Sequence, residues 1–142
     1  MRQPPWHFWP VVFLGGLWHL FGCFDYLVTQ YGAGFWTGPL DAGERMFVET
    51  LPAWVEGAWG IAVWGGLLGI VLMAARAAFA PLLLAVSAIA TVVLTVWMIA
   101  FSIPSLGAVA GQGGIAVMLG ACVAAILLWL YARRMRRTGV ID

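Results

Sequence analysis

The chain predicts an all-α polytopic membrane protein, an antiparallel four-transmembrane-helix bundle with a short outer surface helix. Three observations predict it. Four apolar runs, at approximately 8–30, 52–75, 79–101 and 114–132, each approach the ~20 residues a helix needs to cross a hydrocarbon core. Hydrophobic residues make up 63% of the sequence and charged residues 9%, whereas soluble domains carry roughly a quarter charged. The basic residues are all arginine, and all but Arg45 fall on one side: Arg2, Arg76, Arg133, Arg134, Arg136 and Arg137. That asymmetry predicts both termini and the short second loop in the cytoplasm of a bacterium, with a multi-pass chain in its inner (cytoplasmic) membrane. The spans account for 1–142 as a single transmembrane domain.

The first run is read as a span rather than a cleaved signal peptide, because no small-residue cleavage pattern follows its apolar stretch. At 100° per residue, Gly15, Trp18, His19, Gly22, Asp25, Tyr26, Thr29 and Gln30 share an arc of about 140°. Phe13, Leu14, Leu17, Leu20, Phe21, Phe24, Leu27 and Val28 hold the opposite arc and are expected to face lipid. Ionisable groups inside such a run are expensive, so His19 and Asp25 mark this span as the organising element.

The first loop, 31–51, opens with a glycine-rich turn region whose Phe35 and Trp36 suit the membrane interface. Asp41 and Glu44 then have capping-box spacing ahead of Met46, Phe47 and Leu51, which predicts a short surface helix. In the second span Pro52 fits a first helical turn and Trp54 the interface. Ala53, Glu56, Gly57, Gly60 and Trp64 share one stripe, and Gly65 with Gly69 forms a GxxxG pair. Close helix packing is expected at Gly15, Gly22, Gly57, Gly60, Gly65, Gly69 and Gly120. Arg76 closes the helix.

A loop of a few residues leads to the third span, where Pro81 again falls in the first turn. Ser87, Thr91 and Thr95 recur every four residues, a stripe of hydroxyls that either bond back to the carbonyl one turn earlier or reach a neighbouring helix. Pro104 and the run GAVAGQGG are expected to end this span and turn the chain. The fourth span ends with Trp129 and Tyr131 at the inner interface, followed by RRMRR, a topology anchor that also touches anionic lipid. Cys23 and Cys122 lie in apolar runs and read as small hydrophobes.

Depth sorts the polar residues. By the 1.5 Å helical rise, His19 lies about 16 Å from the inner end of its span, Asp25 about 9 Å below the outer end, and Glu56 about 6 Å down the next span. A ladder follows: His19 with Thr91 near the middle, then Asp25, Glu56, Tyr26 and Thr95 towards the outside, with Arg45 able to fold over the top. Two carboxylates in one dry site share a proton readily, so the ladder reads either as an outward-facing path or as structural hydrogen bonding that fixes helix register. A haem on His19 requires a second histidine, and His7 lies at the membrane edge, so no cofactor is expected. No metal site and no nucleic-acid partner are expected either. With no HExxH, CxxC, nucleophile elbow or phosphate loop, no enzyme activity is predicted.

Leu17-Trp18-His19-Leu20-Phe21-Gly22 with Asp25-Tyr26 and Thr29, Pro52-Ala53-Trp54-Val55, and Trp59 to Gly66 with Leu68-Gly69 resemble a family of small four-helix proteobacterial inner-membrane proteins, sometimes labelled sugar transporters. The resemblance covers the first two spans, carries no assigned chemistry, and implies fold and compartment. It also implies that asparagine is common at the position of His19 and an uncharged residue at that of Glu56, which makes these two particular to this chain. A DoxX-like protein is a weaker comparison. The leading expectation for function is a non-enzymatic accessory or interaction subunit packing against other membrane proteins or itself, with the lipid bilayer and a larger membrane complex or homo-oligomer as partners. The alternative is a small oligomeric transporter of a proton or polar solute, using the polar ladder.

Overall fold

A computed structural model describes residues 3–31, 33–34 and 38–142 of the chain. Arg2, Phe35 and Trp36 lie outside the described residues. Four helical stretches among the described residues are long and apolar enough to cross a membrane: Phe8–Gln30, Ala53–Ala74, Ala80–Ala100 and Leu106–Arg137. The first is α1 (Phe8–Gln30). A two-residue ladder pairs β1 (Ala33–Gly34) with β2 (Gly38–Pro39), and α2 (Ala42–Glu49) follows. The second stretch is composite: α3 (Ala53–Gly60), a π-helical segment (Ile61–Gly65) and α4 (Gly66–Ala74). The third and fourth are α5 (Ala80–Ala100) and α6 (Leu106–Arg137).

The local chemistry of the helix ends explains most boundaries. The Asp41 carboxylate accepts from the Glu44 amide at 2.8 Å, and the Asp41 amide donates to the Glu44 carboxylate at 3.0 Å, so the capping box that the sequence predicts is formed and starts α2. Pro52 is the N-cap of α3, and Pro81 lies in the first turn of α5, where its missing N–H removes no helical bond. Arg76 ends α4 in the left-handed region at φ 58°, with Arg76 N–H donating to Met73 O and Ala77 N–H to Leu72 O. This is the Schellman pattern, carried by an arginine where glycine is usual.

The fourth helix departs from the expected bounds. It begins at Leu106, ahead of the expected span, but Leu106–Arg137 joins two helical pieces that meet inside GAVAGQGG at Gly111 (φ 62°, ψ −164°), so the chain bends within the run the sequence marks, and Gly107 comes against Ile115. The first piece starts at Leu106 because the Ser105 hydroxyl accepts from the Ala108 amide. At its other end α6 runs through the arginine cluster, where Arg134, Arg136 and Arg137 meet the negative end of the helix dipole. Arg133 lies over the Trp129 ring at 5.1 Å.

α5 is the central element, packing against α6 on one side and against α3, the π segment and α4 on the other; α1 packs on α4 and the π segment. Two apolar clusters result. One lies at the arginine end and joins Phe8, Met73, Leu84, Ala132 and Met135 with the tail residues Val140 and Ile141. The tail reaches it through a second Schellman turn at Gly139 (φ 74°), and the Asp142 amide donates to Arg76 O at 3.1 Å. The other cluster gathers Phe47 and Leu51 with Val55, Leu94, Met98 and Leu106, tying α2 to the ends of α3, α5 and α6.

The packing glycines divide. A Cβ on Gly15 would fall 2.8 Å from Ile70 Cδ1, one on Gly22 3.1 Å from Val63 Cγ1, and one on Gly69 2.8 Å from Leu84 Cγ, so these three sit at close helix contacts. Gly60 and Gly65 meet neighbours at ordinary distances, while Gly57 and Gly120 face open space. The stripe Ala53, Gly57 and Trp64 is exposed; the buried face runs instead through Val55, Ala62, Gly66, Gly69, Ile70 and Met73. Within α3 the inward face is that of Val55, and the wider turn of the π segment then shifts the register of the residues after it, among them Gly66, Gly69, Ile70 and Met73.

Candidate functional site

The site grows from the buried stripe of α1, which runs through Phe8, Gly15, His19 and Cys23. His19 is 5% exposed, and its ring lies against Gly66, where a Cβ would overlap the imidazole. The π segment ends on that glycine, so the irregular turn and the histidine meet at one point. π turns are rare and recur at functional sites, because they re-aim a helix face and disturb the backbone ladder. Here the Ala62 carbonyl within the segment accepts from the buried Ser87 hydroxyl at 2.6 Å.

From Ser87 a polar column continues along α5. The Thr91 hydroxyl donates to Ser87 O at 2.8 Å, the bond back by one turn that is usual for such residues. Thr95 instead accepts from the Cys122 thiol of α6 at 3.2 Å. The hydroxyl stripe thus divides, with one member bonding within its helix and two reaching neighbours. Both cysteines are free thiols, and Cys122 serves as a weak donor in this column.

A cavity of about 430 Å³ adjoins this column, lined by residues of α1, α3, the π segment, α5 and α6. His19, Asp25 and Thr91 all line it, so three of the six predicted polar residues are brought together. Trp18, Phe21 and Trp59 add aromatic surface, and Gly120 and Ala121 form part of the α6 wall. Tyr26, Glu56 and Thr95 are not among the lining residues. Tyr26 stands edge-on to Trp59 at 5.1 Å, with its hydroxyl end beside Gly60. Asp25 and Glu56 do not pair: neither side chain makes a hydrogen bond or ion pair among the described residues, and neither does the Arg45 guanidinium. Among the described residues no group of three or more His, Cys, Asp and Glu gathers as a metal site.

α1 and α6 close on each other towards the arginine end, where His7 Nδ1 and the Tyr131 hydroxyl share a hydrogen bond of 2.6 Å and Gly15 faces Leu128. Beyond that closure the cavity lies between them. Trp18, Phe21 and Asp25 are exposed at its rim, so it opens along the flank of α1.

One atom inside is out of balance. His19 Nε2 is buried and has no hydrogen-bond partner among the described residues. Most buried side-chain polar atoms are paired, and leaving one unpaired costs about 1–3 kcal/mol. Sequence reasoning singles out His19 but misses Gly66, Cys122 and the aromatic rim. The doublet Gly65-Gly66 after Trp64 is the one local signal of a close approach there. No family model matches the chain, and no curated protein or solved structure matches it.

Proposed function

We propose that the protein is a non-enzymatic, multi-pass protein of a bacterial inner membrane that holds a small solute in an intramembrane site on α1 and carries it, or a proton, as a homo-oligomer. In this reading the helices form a left-handed antiparallel bundle with both termini cytoplasmic, following the arginine distribution. The resemblance of the first two spans to small inner-membrane proteins supports the same compartment. The observation that carries the reading is the buried, unpartnered Nε2 of His19 beside a cavity that Asp25 and Thr91 also line. Intramembrane ionisable groups that face a cavity mark substrate and proton routes more often than simple adhesion. Four helices enclose little volume, so passage across the membrane requires a second copy.

The test is flux. In liposomes holding a pH-sensitive dye, a potassium diffusion potential drives proton entry through the wild-type protein. His19→Gln and Asp25→Asn each reduce it at least fivefold, and Glu56→Gln leaves it unchanged. Entry no faster than in protein-free liposomes, or equal entry in all variants, ends the transport reading.

A second reading has its own support. Gly57 faces open space, and most of α1 and α6 is uncovered, which suits an accessory subunit docked on another membrane protein. Purification in mild detergent separates the two. A stoichiometric larger complex decides for the accessory role, and a homo-oligomer alone decides against it.

A further inference from the structure

We propose that the cavity between α1 and α6 binds a lipophilic organic monocation, its charge facing Asp25 and its planar rings among Trp18, Phe21 and Trp59. The proposal rests on the intramembrane-site reading above and names the solute class.

Charge is the first reason. Among the described residues Asp25 is the one carboxylate that lines the cavity, and no arginine lines it. Asp25 has no hydrogen bond or ion pair among the described residues. At the low dielectric of an apolar cavity a carboxylate attracts a positive guest far more strongly than it does in water, whereas a neutral or anionic guest leaves it uncompensated. The aromatic rim adds to this preference. The negative faces of Trp18, Phe21 and Trp59 favour a cation, tryptophan most of all.

Size and access narrow the class. A volume of about 430 Å³ is far more than an inorganic ion fills and falls within the ~300–1,000 Å³ of small-molecule sites. The exposed rim of Trp18, Phe21 and Asp25 lies on the flank of a helix apolar enough to cross a membrane. A guest therefore enters from the hydrocarbon, which selects a lipophilic one. His19 supplies orientation. A neutral imidazole with Nε2 deprotonated accepts an N–H from the guest, which satisfies a buried atom that has no partner among the described residues.

Ethidium, a planar monocation with amino N–H groups, and phenanthridine, its uncharged ring system, test the proposal. Each is equilibrated by dialysis against the full chain in lipid nanodiscs and against empty nanodiscs. Ethidium is expected to bind at one per chain above the empty-disc level, and phenanthridine at least tenfold more weakly. Asp25→Asn weakens ethidium at least tenfold, Trp18→Leu about fivefold, and Glu56→Gln less than twofold; Trp18→Leu keeps the test decisive if the asparagine variant does not assemble. Equal binding of the two probes, ethidium binding unaffected by both Asp25→Asn and Trp18→Leu, or no ethidium above the empty-disc level each overturns the proposal. Ethidium binding without proton flux in liposomes removes transport and leaves the cation site standing. Equal binding of both probes that is lost in His19→Gln removes the cation and leaves a site for a neutral solute.

Discussion

Gly66→Ala destabilises the fold by about 2 kcal/mol, within the ~1–3 kcal/mol that overpacking costs, and the loss is almost absent when His19 is also alanine. Backbone propensity points the other way, since alanine is favoured over glycine in a helix by about 1 kcal/mol. A net loss therefore has to come from the overlap between the new methyl group and the imidazole. The ring has room to swing into the adjoining cavity, which keeps the cost moderate, but it then leaves its buried seat against the π segment. A double-mutant cycle measured by unfolding in mixed micelles should give a coupling of about 1–3 kcal/mol, the range for residues in direct contact. Additive losses would show that His19 does not occupy this seat. The same cycle reports on function, because a displaced His19 should lose ethidium binding even where the fold survives.

Ile141→Ala costs about 2–4 kcal/mol, the largest effect expected from a residue so near the chain end. Ile141 is 1% exposed and packs with Phe8, Met73, Ala80, Met135 and Val140, joining the start of α1 to the ends of α4 and α6. Truncation to alanine removes three methyl or methylene groups from that cluster and leaves a void that the surrounding helices fill only in part. Leu127→Ala is the control. Leu127 lies on the exposed face of α6 at 60% exposure, and its change should stay within about 0.5 kcal/mol. Equal losses at the two positions would mean that the tail is not seated.

Much of the architecture is legible in the sequence because it is local. Hydropathy over some 20 residues locates four apolar helices, Asp41 and Glu44 announce α2 by spacing, and the prolines at 52 and 81 sit at helix starts. The glycine-rich run does hold a break, at Gly111, but the short helical piece that begins at Leu106 ahead of it is missed, because a glycine-rich run gives no helical signal of its own. The seated tail is invisible to pattern reading. Val140 and Ile141 look like two apolar residues after a charged run, and apart from Ala132 and Met135 on α6 the partners that bury them, such as Phe8 and Met73, are distant in the sequence. Separations of 124 and 27 residues likewise hide the His7–Tyr131 bond and the Cys122–Thr95 contact. Depth arithmetic sets Asp25 and Glu56 at one level and cannot say whether their side chains turn towards each other. In the structure Asp25 goes to the cavity and Glu56 does not.

Ile61–Gly65 carries a consequence for how this chain tolerates change in length. A π turn is geometrically what remains when a single residue is inserted into an α-helix and its surplus is absorbed locally. The segment therefore acts as a phase shifter between α3 and α4, rotating the second against the first by about the 100° that one residue represents. Both Gly66, against the His19 ring, and Gly69, against Leu84, lie downstream of that shift. One surplus residue thus sets which glycines reach the two neighbouring helices, and the seat of the histidine depends on a count rather than on a side chain.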